Sequence, residues 1–121
     1  MTEETSPTER QARNRDIPRN LRQYFLGFLI KGQRWNDPAG SEDLQALQLA
    51  FLREQIEAGT YIVAGPVTDG GDMVGVAIIS AGSLEEAKAI IGGDPGIHAG
   101  RLAADVRPAF LPSLSGVKVE F

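Results

Sequence analysis

The stretch 61–79 constrains the fold more than any other part of the sequence. It contains two short apolar runs rich in β-branched residues, 61–67 and 73–79, on either side of the turn Asp69-Gly70-Gly71. Such residues favour strands, and both glycines can adopt positive φ, so the pattern predicts a β-hairpin. Both faces of the second run are apolar, whereas an antiparallel strand with one face in water alternates with polar residues. We therefore expect both faces of this hairpin to be covered.

The remaining pattern predicts the order β-α-β-β-α-β. Residues 21–31 alternate as a first strand with two apolar faces, and Ser41 and Gly59 bound a helix. After the hairpin, the capping box 83–86 opens a second helix that stops at 92–93. Asp94-Pro95 then begins a short helical turn, with Asp94 as its N-cap. A strand over 101–108 completes an α+β fold of the ferredoxin-like sandwich type.

The chain divides into three predicted parts. Residues 1–20 contain almost no large apolar side chain and read as a polar N-terminal tail, or alternatively as an arm that docks on a partner subunit. Residues 21–110 form the folded domain. Residues 111–121 are a C-terminal extension in which Val117, Val119 and Phe121 alternate as a possible edge strand.

A second copy of the chain is the simplest cover for one face of this sheet. Two helices cover one face, and the other face is also apolar, which predicts a two-fold homodimer. Gly27, Gly75 and Ala77 leave little side-chain volume on one face of the sheet. If two such faces meet in the dimer, a cavity lies between the sheets, although the sequence does not tell which face is which.

Composition argues against several classes of function. The net charge is −4 and strand 73–79 has no aromatic residue, so nucleic-acid binding is disfavoured even though RNA-binding domains share this topology. One histidine and no cysteine leave no His/Cys set for a metal, and there is no phosphate-binding glycine motif. We expect neither a metal nor a cofactor. No membrane-length apolar stretch or signal peptide is present, which makes a soluble cytoplasmic protein the default.

What remains is a site for a small organic molecule between sheet and helix. Gln48 interrupts the apolar stripe of the first helix, where a buried amide bonded to the backbone is the structural alternative. Asp94 is either a helix cap or a chemical group, and His98, four residues later, is either exposed or a general base oriented by Asp94. The other candidates are Trp35, which is alternatively a loop anchor, together with Arg34 and Tyr24.

Taken together, several motifs resemble the YCII-related family over residues 22–110. They are 24–32 with Trp35, 49–59, 62–66, 69–72, 83–87, and Asp94-Pro95 followed by 99–102. The resemblance implies a ferredoxin-like protomer that pairs into a dimeric α+β barrel, and small cofactor-free enzymes with a His–Asp pair. Dehydrochlorination of aromatic catabolites is the chemistry best associated with such proteins.

The chain departs from the family pattern at two places. The family aspartate corresponds to Asp94, but Gln48 stands where the resemblance implies a histidine, and the fourth strand ends Arg107-Pro108-Ala109 where the family often has His-Pro-Trp. A glutamine amide neither takes nor gives a proton near neutral pH, so Gln48 is restricted to orienting a ligand.

These considerations predict a cofactor-independent small-molecule enzyme of the lyase or isomerase type. Asp94 handles the proton, Gln48 orients the ligand, and His98 replaces the missing base. Trp35, Tyr24 and Arg34 bind the substrate. The alternative is a non-catalytic protein that binds a small ligand or a partner on the same dimeric scaffold.

Overall fold

The computed structural model describes residues 15–38 and 40–121. Most of the predicted N-terminal tail therefore lies outside the described residues. The elements, in chain order, are β1 (Leu21–Lys31), α1 (Ser41–Ala58), β2 (Tyr61–Pro66), β3 (Met73–Ile79), α2 (Leu84–Gly92), α3 (Pro95–His98) and β4 (Leu102–Pro112). Among the described residues, no helix combines the length and the hydrophobicity needed to cross a membrane.

The four strands form one antiparallel sheet in the order β2-β3-β1-β4. The central strands β3 and β1 pair with each other although α1 and β2 separate them in the chain, which is the ferredoxin-like arrangement and confirms the predicted α+β fold. Gly27 marks the centre of the sheet, because it pairs with Ala77 of β3 on one side and with Val106 of β4 on the other.

The hairpin turns where the sequence predicts it. Gly70 has a φ of 81°, a left-handed conformation that glycine adopts without a steric penalty. The Asp69 carboxylate accepts a hydrogen bond from the Gly71 amide at 3.0 Å, which closes the turn. Gly71 itself does not have positive φ, so only one of the two glycines is used in the predicted way.

The core lies on the face of the sheet that the helices cover. Phe25 and Leu29 of β1 and Ile79 of β3 are buried there against Ile91 of α2. A Cβ added to Gly27 would lie 2.7 Å from Cδ1 of Ile91, so the glycine lets α2 approach β1 closely.

The small residues of the sheet therefore face the helices. Gly27 and Ala77 pair on the core face, and Gly75 pairs there with the buried Leu29. The expectation of a cavity between two sheets of a dimer is wrong in this respect, because the side-chain volume is missing under the helices instead. The opposite face carries larger apolar side chains that are only half-buried in one chain: Leu26, Phe28, Val76 and Ile78.

The C-terminal segment differs from the prediction. β4 continues to Pro112, and residues 113–121 form no edge strand. The Leu114 amide instead donates a hydrogen bond of 2.8 Å to the Tyr24 hydroxyl, and the guanidinium of Arg53 lies 4.5 Å from the centre of the Phe121 ring. Polar and aromatic side-chain contacts thus hold a segment whose alternating pattern would suit a sheet.

Helix α1 has a different phase from the predicted one at a single position. The apolar spacing of α1 predicts Leu47 on the buried stripe, but the side chain is 57% exposed. The helix presents Gln48 and Leu52 inward instead, and Gly40, with a φ of 68°, precedes Ser41 as the N-cap. No residue of α1 is fully buried, so the helix covers the sheet loosely.

Candidate ligand-binding site

Gln48 and Asp94 meet where α1 crosses the start of α3. The Gln48 amide Nε2 donates to Oδ2 of Asp94 at 3.4 Å. This distance exceeds the usual range for a hydrogen bond between nitrogen and oxygen, so the contact is weak and replaceable. The two candidates that the sequence singled out for an organic site are therefore neighbours.

Asp94 is held rigidly by the turn that it caps. The carboxylate is fully buried, and its Oδ1 accepts a hydrogen bond of 2.7 Å from the Gly96 amide. A Cβ on Gly96 would lie 2.6 Å from Cδ1 of Leu102, so the Leu102 side chain packs closely over the turn at Gly96. Capping accounts for one carboxylate oxygen and leaves Oδ2 with the weak Gln48 contact.

The surroundings of Asp94 favour its protonated form. Burial raises the pKa of the carboxyl, because the charged form loses its hydration. The hydrogen bonds from Gly96 and Gln48 and the charge of His98 act in the opposite direction and lower it. The net result is a pKa above the ordinary value of a carboxyl, a shift that is common for groups that exchange protons with a ligand.

A cleft of about 310 Å³ lies between α1 and the sheet, beside this pair. Its floor consists of small residues of β2 and β3, including Ala64, Gly75 and Ala77, and its sides include Gln48 and Tyr61. The walls are mostly apolar with few polar groups, which is typical of small-molecule sites, and the volume is at the low end of their range. Asp94 lies behind Gln48 and is not itself on the wall.

A second cleft, of about 190 Å³, opens on the other side of Gln48. Trp35 and Gly96 border it, together with Arg101. Trp35 is 37% exposed, with the Lys31 ammonium 5.5 Å from the ring centre. Gln48 thus separates two openings, and Trp35 shares one of them with it.

The remaining predicted residues lie further from Gln48. His98 ends α3 with an exposed side chain, and Arg34 borders a different depression together with Ala99. Tyr24 points to the opposite face of the sheet from its buried neighbour Phe25, because successive residues of a strand alternate. The pocket roles of His98, Arg34 and Tyr24 stay predictions.

Tyr61 is the residue of this region that sequence reasoning missed. It is 1% exposed, and its hydroxyl has no hydrogen-bond partner among the described residues. Its ring packs edge-on against Phe51 of α1, with centroids 5.9 Å apart. The available signal was a tyrosine in an otherwise apolar strand, since a buried phenol usually finds a partner for its hydroxyl.

Metal ligation has no support in this part of the chain. Within the described ranges, no group of three or more His, Asp or Glu side chains converges in a way that could hold a metal ion. The Asp94 carboxylate is already engaged by an amide on each side.

Comparison with known proteins gives a family match and similarity to solved structures. The sequence profile of the YCII-related domain matches residues 29–108. Among solved structures, the chain is similar to 5-chloro-2-hydroxyhydroquinone dehydrochlorinase from Burkholderia phenoliruptrix AC1100, in complex with 2,5-dihydroxybenzoquinone. The two are 28% identical with a TM-score of 0.50, over 69% of this chain and 90% of the dehydrochlorinase chain. Among curated proteins, no relative matches the sequence significantly.

Proposed function

Because this chain belongs to the YCII-related family, we propose that it is a cofactor-independent enzyme of the lyase or isomerase type that acts on a small organic molecule. The similarity to a dehydrochlorinase that binds a dihydroxybenzoquinone supports this class of chemistry. The cleft of about 310 Å³ beside Gln48 suits a molecule of roughly one ring.

The contact between Gln48 and Asp94 carries the proposal. A buried carboxyl with a raised pKa stands behind an amide that borders the cleft. Because the amide holds Oδ2 only at 3.4 Å, a ligand hydroxyl can take its place at Oδ2. The displaced amide then donates to, or accepts from, another oxygen of the same ligand.

The proposed step is a proton transfer coupled to loss of a leaving group. Asp94 accepts a proton from the ligand, the electron pair of that bond forms a new double bond, and the leaving group departs with its own bonding pair. The net loss of an acid such as HCl needs no oxidant or reductant. In an isomerisation the same carboxyl returns the proton to a different atom.

The other candidates have supporting roles in this proposal. Trp35 borders the second cleft together with Gln48, where it can contact a ligand that the amide holds. His98 acts through its charge on Asp94 rather than by contact with the ligand, since its side chain is exposed. The active form is a homodimer in which a second sheet covers the half-buried face of Leu26, Phe28, Val76 and Ile78.

Release of chloride from 5-chloro-2-hydroxyhydroquinone tests the proposal. The wild-type protein should release chloride, and Asp94→Asn should lower the rate by roughly 100-fold or more, because it removes the proton-accepting group while keeping its shape. Asp69→Asn is the matched control, since Asp69 also accepts from an amide two residues on but lies in the exposed hairpin turn. Full turnover by Asp94→Asn would overturn the assignment.

A non-catalytic ligand-binding protein is the second candidate. The observation that favours it is the amide at position 48, since the side chain that contacts Asp94 there cannot act as a base. This alternative predicts that 2,5-dihydroxybenzoquinone binds with the same affinity to wild type and Asp94→Asn, and that no chloride is released from the chlorinated compound.

A further inference from the structure

The hydroxyl of Tyr61 is an unexplained polar group in the core of this protein. The side chain is 1% exposed, and among the described residues no donor or acceptor pairs with the hydroxyl oxygen. Buried polar groups in folded proteins are paired in the large majority of cases, either with protein or with another molecule. A phenol that the empty protein leaves unpaired therefore points to a partner that arrives from outside.

The surroundings of Tyr61 fix the position of this hydroxyl. The strand β2 begins at Tyr61, and the edge-on contact with the Phe51 ring, at an interplanar angle of 84°, restricts rotation of the phenol. The side chain borders the cleft of about 310 Å³ together with Gln48 and the small residues Ala64 and Ala77. The ring of Tyr61 is thus held in a fixed orientation beside this mostly apolar cleft.

Tyr61 also borders a depression of about 420 Å³ under the C-terminal segment. Burial and, as the second cause, the charge of the Asp94 carboxylate raise the pKa of the phenol. The same shift keeps the phenol protonated at every physiological pH. It is therefore available as a hydrogen-bond donor.

We propose that Tyr61 is the third polar residue of the ligand site and that its hydroxyl donates a hydrogen bond to a carbonyl or hydroxyl oxygen of the bound molecule. This inference rests on the proposed function in taking the cleft under α1 as the binding site. It adds a ligand requirement: an oxygen acceptor on the part of the bound molecule that faces Tyr61.

The ligand-free protein gives the first test, with Tyr61→Phe and Tyr24→Phe as a matched pair. Both changes remove one phenolic oxygen from a buried ring. The Tyr24 hydroxyl accepts a hydrogen bond from the Leu114 amide, whereas the Tyr61 hydroxyl is unpaired. Tyr24→Phe should lower the urea midpoint, and Tyr61→Phe should leave it unchanged or raise it. A lower midpoint for Tyr61→Phe would show a structural partner and would overturn the inference.

Two probes of nearly equal shape give the second test. Acetophenone carries a carbonyl oxygen where α-methylstyrene carries a methylene group, and NMR titration of the full chain measures the affinity of each. Wild type should bind acetophenone about two- to tenfold more tightly than α-methylstyrene, and Tyr61→Phe should bind the two equally.

The outcomes separate this inference from the proposed function. The role of Tyr61 would be overturned if wild type and Tyr61→Phe showed the same preference for acetophenone over α-methylstyrene. It would also be overturned if neither probe shifted the NMR signals of the cleft residues. Neither result depends on chloride release or on Asp94, which decide the proposed function. Conversely, loss of the acetophenone preference in Tyr61→Phe supports the inference even where Asp94→Asn leaves turnover unchanged.

Discussion

Gln48 and Asp94 are 46 positions apart in the sequence, yet the amide nitrogen of one lies 3.4 Å from a carboxylate oxygen of the other. This contact ties α1, which has no fully buried residue, to the turn that begins α3. It also places the Gln48 amide, which does not titrate, against the Asp94 carboxyl, which does. Changes at either position should therefore appear in the pH dependence of stability as well as in activity.

Gln48→Glu should make the protein less stable at high pH. The change places a second carboxylate against Asp94, and two like charges at this distance raise the pKa of one of them. The folded protein then holds a proton that the unfolded chain releases, so stability is retained at low pH and falls as the pH rises. We expect Gln48→Glu to match wild type near pH 4 and to lose about 1–3 kcal/mol by pH 8.

Urea unfolding at several pH values measures this effect. Gln45→Glu is the control, because Gln45 also borders the cleft but has an exposed side chain. If the two variants respond to pH in the same way, the proximity of positions 48 and 94 has no energetic consequence and the prediction fails.

Asp94→Asn should gain stability relative to wild type as the pH rises. Burial raises the pKa of Asp94 above its ordinary value of 3.8, so the folded protein binds this proton more tightly than the unfolded chain. The contribution is complete below pH 3.8 and is lost as the pH rises through the raised pKa. Asparagine keeps an oxygen for the Gly96 amide and does not titrate.

The measurement is the difference in urea midpoint between wild type and Asp94→Asn from pH 3.5 to pH 7. Asp69→Asn, in the exposed hairpin turn, controls for loss of a carboxylate that accepts from an amide. A difference that stays constant with pH for Asp94→Asn would contradict the raised pKa.

Much of this fold follows from patterns that a sequence displays directly. The alternation over Leu21–Lys31 and the Asp-Gly-Gly turn predict three strands that the structure contains, with β2 ending one residue earlier than predicted, because side-chain period and turn glycines are local properties. The resemblance to the YCII-related family is likewise confirmed. The homodimer and the three-part division of the chain stay predictions.

The sides of the sheet could not be predicted in the same way. Both faces of β1 are apolar, so alternation separates Gly27 from Phe28 without telling which one meets the helices. Packing decides this, since α2 needs the space that Gly27 leaves under Ile91. For the same reason, the sequence did not tell that Tyr24 lies on the face of the sheet away from the helices. The alternation of Val117 and Val119 likewise suits a strand, but residues 113–121 form none.

The candidate site was partly visible in the sequence for physical reasons. Gln48 is a polar residue that interrupts the apolar periodicity of a helix, and Asp94 followed by proline matches the pattern of a helix N-cap, so both positions are visible in the local sequence. Tyr61 gives a weaker signal, because a tyrosine at the start of an apolar strand also fits a core position. Only the missing partner of its hydroxyl, a tertiary property, distinguishes it.

Gly32→Ala should strongly destabilise the protein. A Cβ at Gly32 would lie 2.5 Å from the Gly100 carbonyl oxygen and 2.9 Å from the Arg101 carbonyl carbon, and both atoms belong to the backbone. The Gly32 amide also donates to the Arg101 oxygen at 2.7 Å, so the strands cannot separate without losing a hydrogen bond. We expect a loss of about 1–3 kcal/mol in unfolding free energy.

Gly92→Ala is the control for this prediction. Nothing lies within 4 Å of a Cβ built at Gly92, which ends α2. Since alanine is the better helix former, this variant should be unchanged or more stable by up to about 1 kcal/mol. Equal effects of the two alanines in urea unfolding would show that the approach of β1 to the start of β4 is not tight.

Phe28→Lys should separate the proposed homodimer into monomers. Phe28 lies at the centre of the half-buried apolar face, between Val76 of β3 and Asp105 of β4. A lysine in a dimer interface would bury a charge in apolar surroundings, which weakens association by about 100-fold or more. Phe110→Lys is the control, because Phe110 is 67% exposed and pairs with Gln23, on the other face of the sheet. Sedimentation equilibrium should give a dimer for wild type and Phe110→Lys and a folded monomer for Phe28→Lys, whereas a monomeric wild type would show that a second copy does not cover this face.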